Sequence, residues 1–184
     1  MTWTRNVVLV PDSSDKSVQS LAQAMAKRYG AAAQDCFSDQ AFKGFQQDSL
    51  NCVNSDLATK VIVCAHGCKQ GLNGGMDAAG TAKYLKDLGV TQAGLIAFKA
   101  CQVGKESFLD DLATALHQNR VSFGYLIAYK HSVWKTSHGR MRGFWGALEV
   151  KGKDKDRVRI VQGKANVAAP GPRYIAHTER LDHE

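Results

Sequence analysis

No apolar run in this sequence reaches the roughly 18 residues that a helix needs to cross a bilayer. The first ten residues carry one arginine and a short apolar patch that ends at Pro11, less than the core of about 7 to 15 residues in a signal peptide. The expectation is a soluble chain without a Sec-type export signal. Low-complexity tracts are also missing. With 44% hydrophobic and 22% charged residues the composition excludes wholesale disorder. At 184 residues the chain is long enough for one full core and short for two. A secreted disulfide framework is absent too. The five cysteines, Cys36, Cys52, Cys64, Cys68 and Cys101, cannot all pair within one chain, and three stand on or beside apolar runs. Reduced thiols follow, in the cytoplasm or in a host or target-cell cytosol reached without a Sec signal.

Charge is unevenly spread. Much of the net charge of +7 lies between Lys130 and Arg159, in Lys135, Arg140, Arg142, Lys151, Lys153, Lys155, Arg157 and Arg159. Clustered cations neutralise phosphates, but only Trp134, Phe144 and Trp145 interleave with them and no nucleic-acid module is recognisable. Nucleic acid is not the expected partner. A solvated basic face is the expectation, with a site for an anionic partner or effector as the alternative.

What is present is an alternation of apolar strands and amphipathic helices. Arg5 to Val10 reads as a strand closed by the loop Pro11 to Ser14. Val18, Leu21, Ala22, Met25, Ala26 and Tyr29 recur at helical spacing, with Ser14 or Asp15 as N-cap and Gly30 as stop. Ala33 to Phe37 suits a short edge strand, and Phe42 to Val53 a loop or short helix. Val61 to Ala65 and Gly94 to Phe98 are branched, apolar and short, as strands buried on both faces of a parallel sheet are. Between them Met76 to Leu88 is helical. Lys105 to Arg120 and then Val121 to Tyr129 add a helix and a strand. This order predicts an α/β fold, a three-layer α/β/α sandwich around a mostly parallel, doubly wound sheet. Phe144 to Val150 and Arg157 to Val161, joined by the turn Lys151 to Asp156, read as a closing C-terminal β-hairpin. Residues 1–164 would form the domain, with 165–184 as a tail packed on its surface or partly disordered.

Both central strands end in reactive side chains, at His66-Gly67 and at Lys99-Ala100-Cys101. Parallel neighbours deliver both ends to the carboxyl edge of the sheet, where open α/β sheets bind ligands. A thiol attacks well only as thiolate. His66 can take its proton and later return it to a leaving amine, and the N–H groups of Gly67 and Cys101 are candidate oxyanion donors. Gly67 also leaves substrate unobstructed. The loop Gly71-Leu72-Asn73-Gly74-Gly75 lacks the Lys-Ser/Thr ending of a phosphate loop and reads as a flexible active-site loop.

The pattern of Val61 to Gly67 and Leu95 to Gly104 resembles the caspase-hemoglobinase superfamily of cysteine peptidases, clan CD. In that family one strand ends in His-Gly and the next in Ala-Cys. The likeness is greater to bacterial members, including the self-processing peptidase domains of large toxins, than to caspases. Caspases carry Gln-Ala-Cys-Arg/Gln/Gly-Gly with the His about 50 residues upstream; here the sequence is Lys99-Ala100-Cys101-Gln102-Val103-Gly104 and His66 stands nearer. The resemblance implies a cysteine endopeptidase with a caspase-like fold, with Cys101 as nucleophile, His66 as acid and base, and no obligatory third residue. It implies that Lys99 lines the pocket for the residue before the scissile bond, which would favour an acidic side chain unless Asp12 and Asp15 reach that pocket. It places Tyr129 to His131 along the substrate groove. It implies a bacterial effector or toxin protease acting as a monomer on a protein or peptide, without metal or cofactor. A polyanion such as an inositol phosphate would be its activator.

Two other readings keep these residues in different roles. One is a peptidase-like binding module with a vestigial dyad. The other is a zinc site of Cys64, His66, Cys68 and Cys101, but successive ligands along a strand stand roughly 6 to 7 Å apart, too far to share one ion with bonds of about 2.3 Å.

Overall fold

A computed structural model describes residues 3–72, 75–135, 141–145, 148–149 and 158–168. In chain order it holds β1 (Arg5–Val10), α1 (Lys16–Tyr29), β2 (Cys36–Ser38), β3 (Gln46–Gln47) and β4 (Thr59–Cys64). The small hairpin β5 (Gly67–Cys68) and β6 (Gly71–Leu72) follows, then α2 (Ala78–Asp87), β7 (Gln92–Lys99), α3 (Phe108–Gln118) and β8 (Ser122–Tyr129). The chain continues through β9 (Ser132–Lys135), β10 (Met141–Trp145), β11 (Leu148–Glu149) and β12 (Val158–Gln162).

Seven strands make one sheet in the order β12-β8-β7-β4-β1-β2-β3. All neighbours are parallel except β12, which runs antiparallel to β8. Every residue of β4 is buried, as a central strand covered on both faces requires. Its side chains alternate between two cores. Val61 and Val63 face the side of α2 and α3, with Val7, Leu9, Ile96 and Phe98. Ile62 and Cys64 face α1, with Val8, Val10, Val18, Ala22 and Met25. The chain is thus an α/β sandwich with helices on both faces of a mostly parallel sheet.

Local chemistry sets the helix limits. Asp15 caps α1 by accepting the Ser17 N–H at 2.6 Å. At the other end Gly30 adopts φ +64°, and the Ala31 N–H returns to the Ala26 carbonyl at 3.0 Å, the Schellman arrangement. Asp77 caps α2 through the Gly80 N–H. No helix among the described residues is long and apolar enough to cross a membrane.

The C-terminal part departs from expectation. Val158–Gln162 pairs with β8, register Ile160 to Ile127, because its apolar side chains extend the core of the large sheet. Phe144 and Trp145 pair instead with Glu149 and Leu148, and β10 with β9, in a separate three-stranded sheet. The pairing of Phe144–Val150 with Arg157–Val161 is therefore not found among the described residues. The turn expected at 151–156 lies outside them, as do residues 169–184 of the expected tail. The start of that tail is packed: Val167 joins the core and the Ala165 N–H donates to the Phe123 carbonyl at 3.2 Å. Arg159, expected on a solvated basic face, binds Asp110 at 2.7 Å and the Glu106 carbonyl, and so ties β12 to α3. The stretch Phe42 to Val53 holds no helix but the short parallel strand β3. Ala33–Asp35 is a 3-10 turn, leaving Cys36–Ser38 as the strand.

Burial in the α1-facing core pushes the Cys36 thiol up to about 11 and the Cys64 thiol to about 12, against an ordinary 9.0. Above pH 9 the unfolded chain therefore loses protons that the folded chain keeps, so stability falls as pH rises from 9 towards 11 to 12. Urea titrations over that range should show a falling midpoint, and the fall should flatten in a Cys36→Ala/Cys64→Ala variant. An equal fall in that variant would exclude these thiols as its cause.

Candidate active site

The ladder between β4 and β7 ends at the pair Cys64 and Lys99. Two residues beyond each lie His66 and Cys101, at the same edge of the sheet. They are held together by close packing of backbone. A Cβ on Gly67 would sit 2.7 Å from the Cys101 carbonyl oxygen and 2.9 Å from the Ala100 Cβ. Glycine is required here so that the two strand ends can touch, a more demanding reason than leaving substrate unobstructed. Gly67 then enters β5 opposite Leu72.

Cys101 sits at a tight turn. Gln102, directly after it, has φ +57°, a left-handed conformation that costs a non-glycine residue about 1 kcal/mol or more. The backbone beyond β8 compensates. His131 O accepts the Gln102 N–H at 3.1 Å, and Tyr129 O accepts the Gly104 N–H at 2.8 Å. Gln102 Nε2 donates to Ser132 Oγ at 3.2 Å. The sulfur itself is met by β9: the Val133 N–H donates to Cys101 Sγ at 3.3 Å, and the thiol reaches Val133 O at 3.7 Å. Lys69 and Glu106, paired at 3.2 Å, clasp the loop after His66 to the loop after Cys101.

His66 is held from the opposite side. Its Nε2 lies 2.7 Å from Asp15 Oδ2, with each side chain about half exposed. The bond to His66 is the largest cause holding the Asp15 carboxyl down at about 2, helped by the Ser17 N–H. Asp12, held low chiefly by its hydrogen bonds to Ser14, also feels the charge of His66.

A cavity of about 440 Å³ opens between these elements. Val18 and Leu21 of α1 form one wall, with Ser17 and Ser20 beside them. His66 and Cys101 both line it, and Val133 closes the side at β9. Lys99, the buried last residue of β7, lines it as well. The Lys99 Nζ lies 5.3 Å from the ring centre of Tyr129 and 5.9 Å from that of Tyr29.

The structure thus brings together His66, Gly67, Lys99 and Cys101. Asp12 and Tyr129 are not cavity-lining residues: Asp12 accepts the Ser14 N–H at 3.0 Å in the loop before α1, and Tyr129 flanks Lys99 and supports the Cys101 loop. Cys64 is fully buried while Cys68 is exposed, so the strand spacing that suggested zinc separates these thiols. Among the described residues no three His, Cys, Asp or Glu side chains cluster as metal ligands. The loop expected at Gly71 to Gly75 begins as β6, with residues 73 and 74 outside the described residues.

Two features escaped sequence reasoning. Asp15 is recognisable as a helix cap, but its contact with His66 joins residues 51 apart. Strand β9, which seats the sulfur, is polar and short, and only the alternation in Ser132-Val133-Trp134-Lys135 signals it. No protein-family model matches the chain, and no curated protein matches it.

Gly67→Ala should lower stability by about 1–3 kcal/mol through overpacking against backbone, read as a lower urea midpoint. An unchanged midpoint would contradict the tight approach of the two strand ends.

Proposed function

We propose that this chain is a cysteine endopeptidase with a caspase-like architecture, of the type found in bacterial effector and toxin proteases. The observation that carries this reading is that His66 and Cys101, from the ends of adjacent parallel strands, line one cavity at the carboxyl edge.

The chemistry follows from the arrangement. Nδ1 of His66 takes the thiol proton, and Sγ attacks the scissile carbonyl carbon, whose π electrons move to oxygen. The N–H groups of Gly67 and Cys101 meet that oxyanion. Collapse expels the amine, which takes the proton from His66 and leaves a thioester on Cys101. Water, deprotonated by His66, then attacks the thioester carbon, and the carboxylic acid and free thiol are released. Lys99 in the cavity wall would select an acidic side chain before the scissile bond. The clustered cations of the C-terminal part would recruit or respond to a polyanion.

A digest of a peptide library read by mass spectrometry tests the reading. Cys101→Ala and His66→Ala should each abolish cleavage while the fold persists, and cleavage sites should follow acidic residues. Retained cleavage in either variant would exclude the mechanism. Absence of cleavage by the wild type, with Cys101 inert to electrophiles, would favour a peptidase-like binding module.

Added inositol hexakisphosphate or heparin should raise the cleavage rate at low ionic strength, and the effect should fade with salt. A rate indifferent to both would remove the polyanion from the account.

A further inference from the structure

We propose that Asp15 is a positioning residue: its carboxylate holds His66 with the proton on Nε2, which leaves Nδ1 as the base for Cys101 and ties that base to the α1 wall of the cavity.

The two oxygens of Asp15 have separate tasks. Oδ1 accepts the Ser17 N–H at 2.6 Å and caps α1, while Oδ2 meets His66 Nε2 at 2.7 Å. An ionised carboxylate has only lone pairs to offer, so the hydrogen between them belongs to Nε2. A neutral imidazole that donates from one nitrogen accepts at the other. The carboxyl, held at about 2 by its hydrogen bonds, stays ionised at neutral pH. It also opposes the positive charge that His66 acquires when it takes a proton.

The placement is not incidental to α1. Asp15 is its N-cap, and Ser17, Val18, Ser20 and Leu21 of the next two turns line the cavity. The loop before the cap is anchored as well: the Ser13 N–H donates to Asp39 Oδ1 at 2.7 Å, and Gln19 Nε2 donates to Ser13 O at 2.7 Å. The histidine and one wall of the cavity are therefore referenced to the same short segment.

Because the two tasks use different oxygens, they can be separated. Serine is as good an N-cap as aspartate but has no second oxygen for His66. Asp15→Ser should keep the melting temperature of the wild type, whereas Asp15→Ala should lower it. Both should slow alkylation of Cys101 by iodoacetamide, read on the Cys101 peptide by mass spectrometry, by about 10- to 100-fold. That is less than the ~10⁴-fold of a fully buried triad carboxylate, because here both groups are half exposed to solvent. Combined with His66→Ala, Asp15→Ser should add nothing further, as expected for a residue that acts through the histidine. Hydrolysis of library peptides should show the same loss in kcat with KM unchanged.

The activity arm rests on the peptidase reading, while the alkylation arm does not. Slower alkylation in Asp15→Ser with no hydrolysis by the wild type would support the positioning role and defeat the peptidase reading. Hydrolysis by the wild type with wild-type alkylation and turnover in Asp15→Ser would overturn the positioning role alone.

Discussion

The parallel register between β4 and β7 is the constraint on which the rest of the structure depends. With Val61 against Ile96 and Cys64 against Lys99, both strands end at the same level, and the two residues beyond each end are His66 and Cys101. A slip of one residue would exchange the faces of the whole strand. Ile62 and Cys64 would then leave the α1 core, and Val61 and Val63 the core beneath α2 and α3. Register is thus enforced by two buried faces at once. Gly67 adds a local lock, because its missing side chain lets the His66 loop lie directly against the Cys101 carbonyl.

Around that pair the fold supplies support from three directions. α1 brings Asp15 to the imidazole, β9 brings the Val133 amide to the sulfur, and Tyr129 at the end of β8 with His131 just beyond it provide the carbonyls that hold the turn after Cys101. None of these groups adjoins the reactive residues in the chain. The left-handed Gln102 shows what the arrangement costs, since a strained conformation persists only where its surroundings over-determine it.

The reasons for success and failure in reading the sequence are physical. Strands buried on both faces, such as Val61 to Ala65, are continuous apolar runs and were legible as such. Helices were legible from one apolar face and from caps such as Asp15 and Gly30, although α3 begins at Phe108 rather than at Lys105. Pairing partners were less legible. Val158–Gln162 is a short apolar strand that suits a hairpin and a sheet edge equally; it pairs antiparallel with β8, where Ile160 joins the core of Leu95, Ala97, Tyr125 and Ile127. The reactive pair announced itself because each member ends an apolar run. Asp15 did not, because N-cap chemistry accounts for an aspartate there and hides its second contact.

The central claim is that Cys101 is a nucleophile served by His66. The direct measurement is covalent labelling by a peptidyl acyloxymethyl ketone probe, with the modified residue located by mass spectrometry. The account predicts one adduct, on Cys101 rather than on the exposed Cys68, and its loss in His66→Ala. Labelling of Cys68 in preference to Cys101, or labelling of Cys101 unaffected by loss of His66, would contradict it.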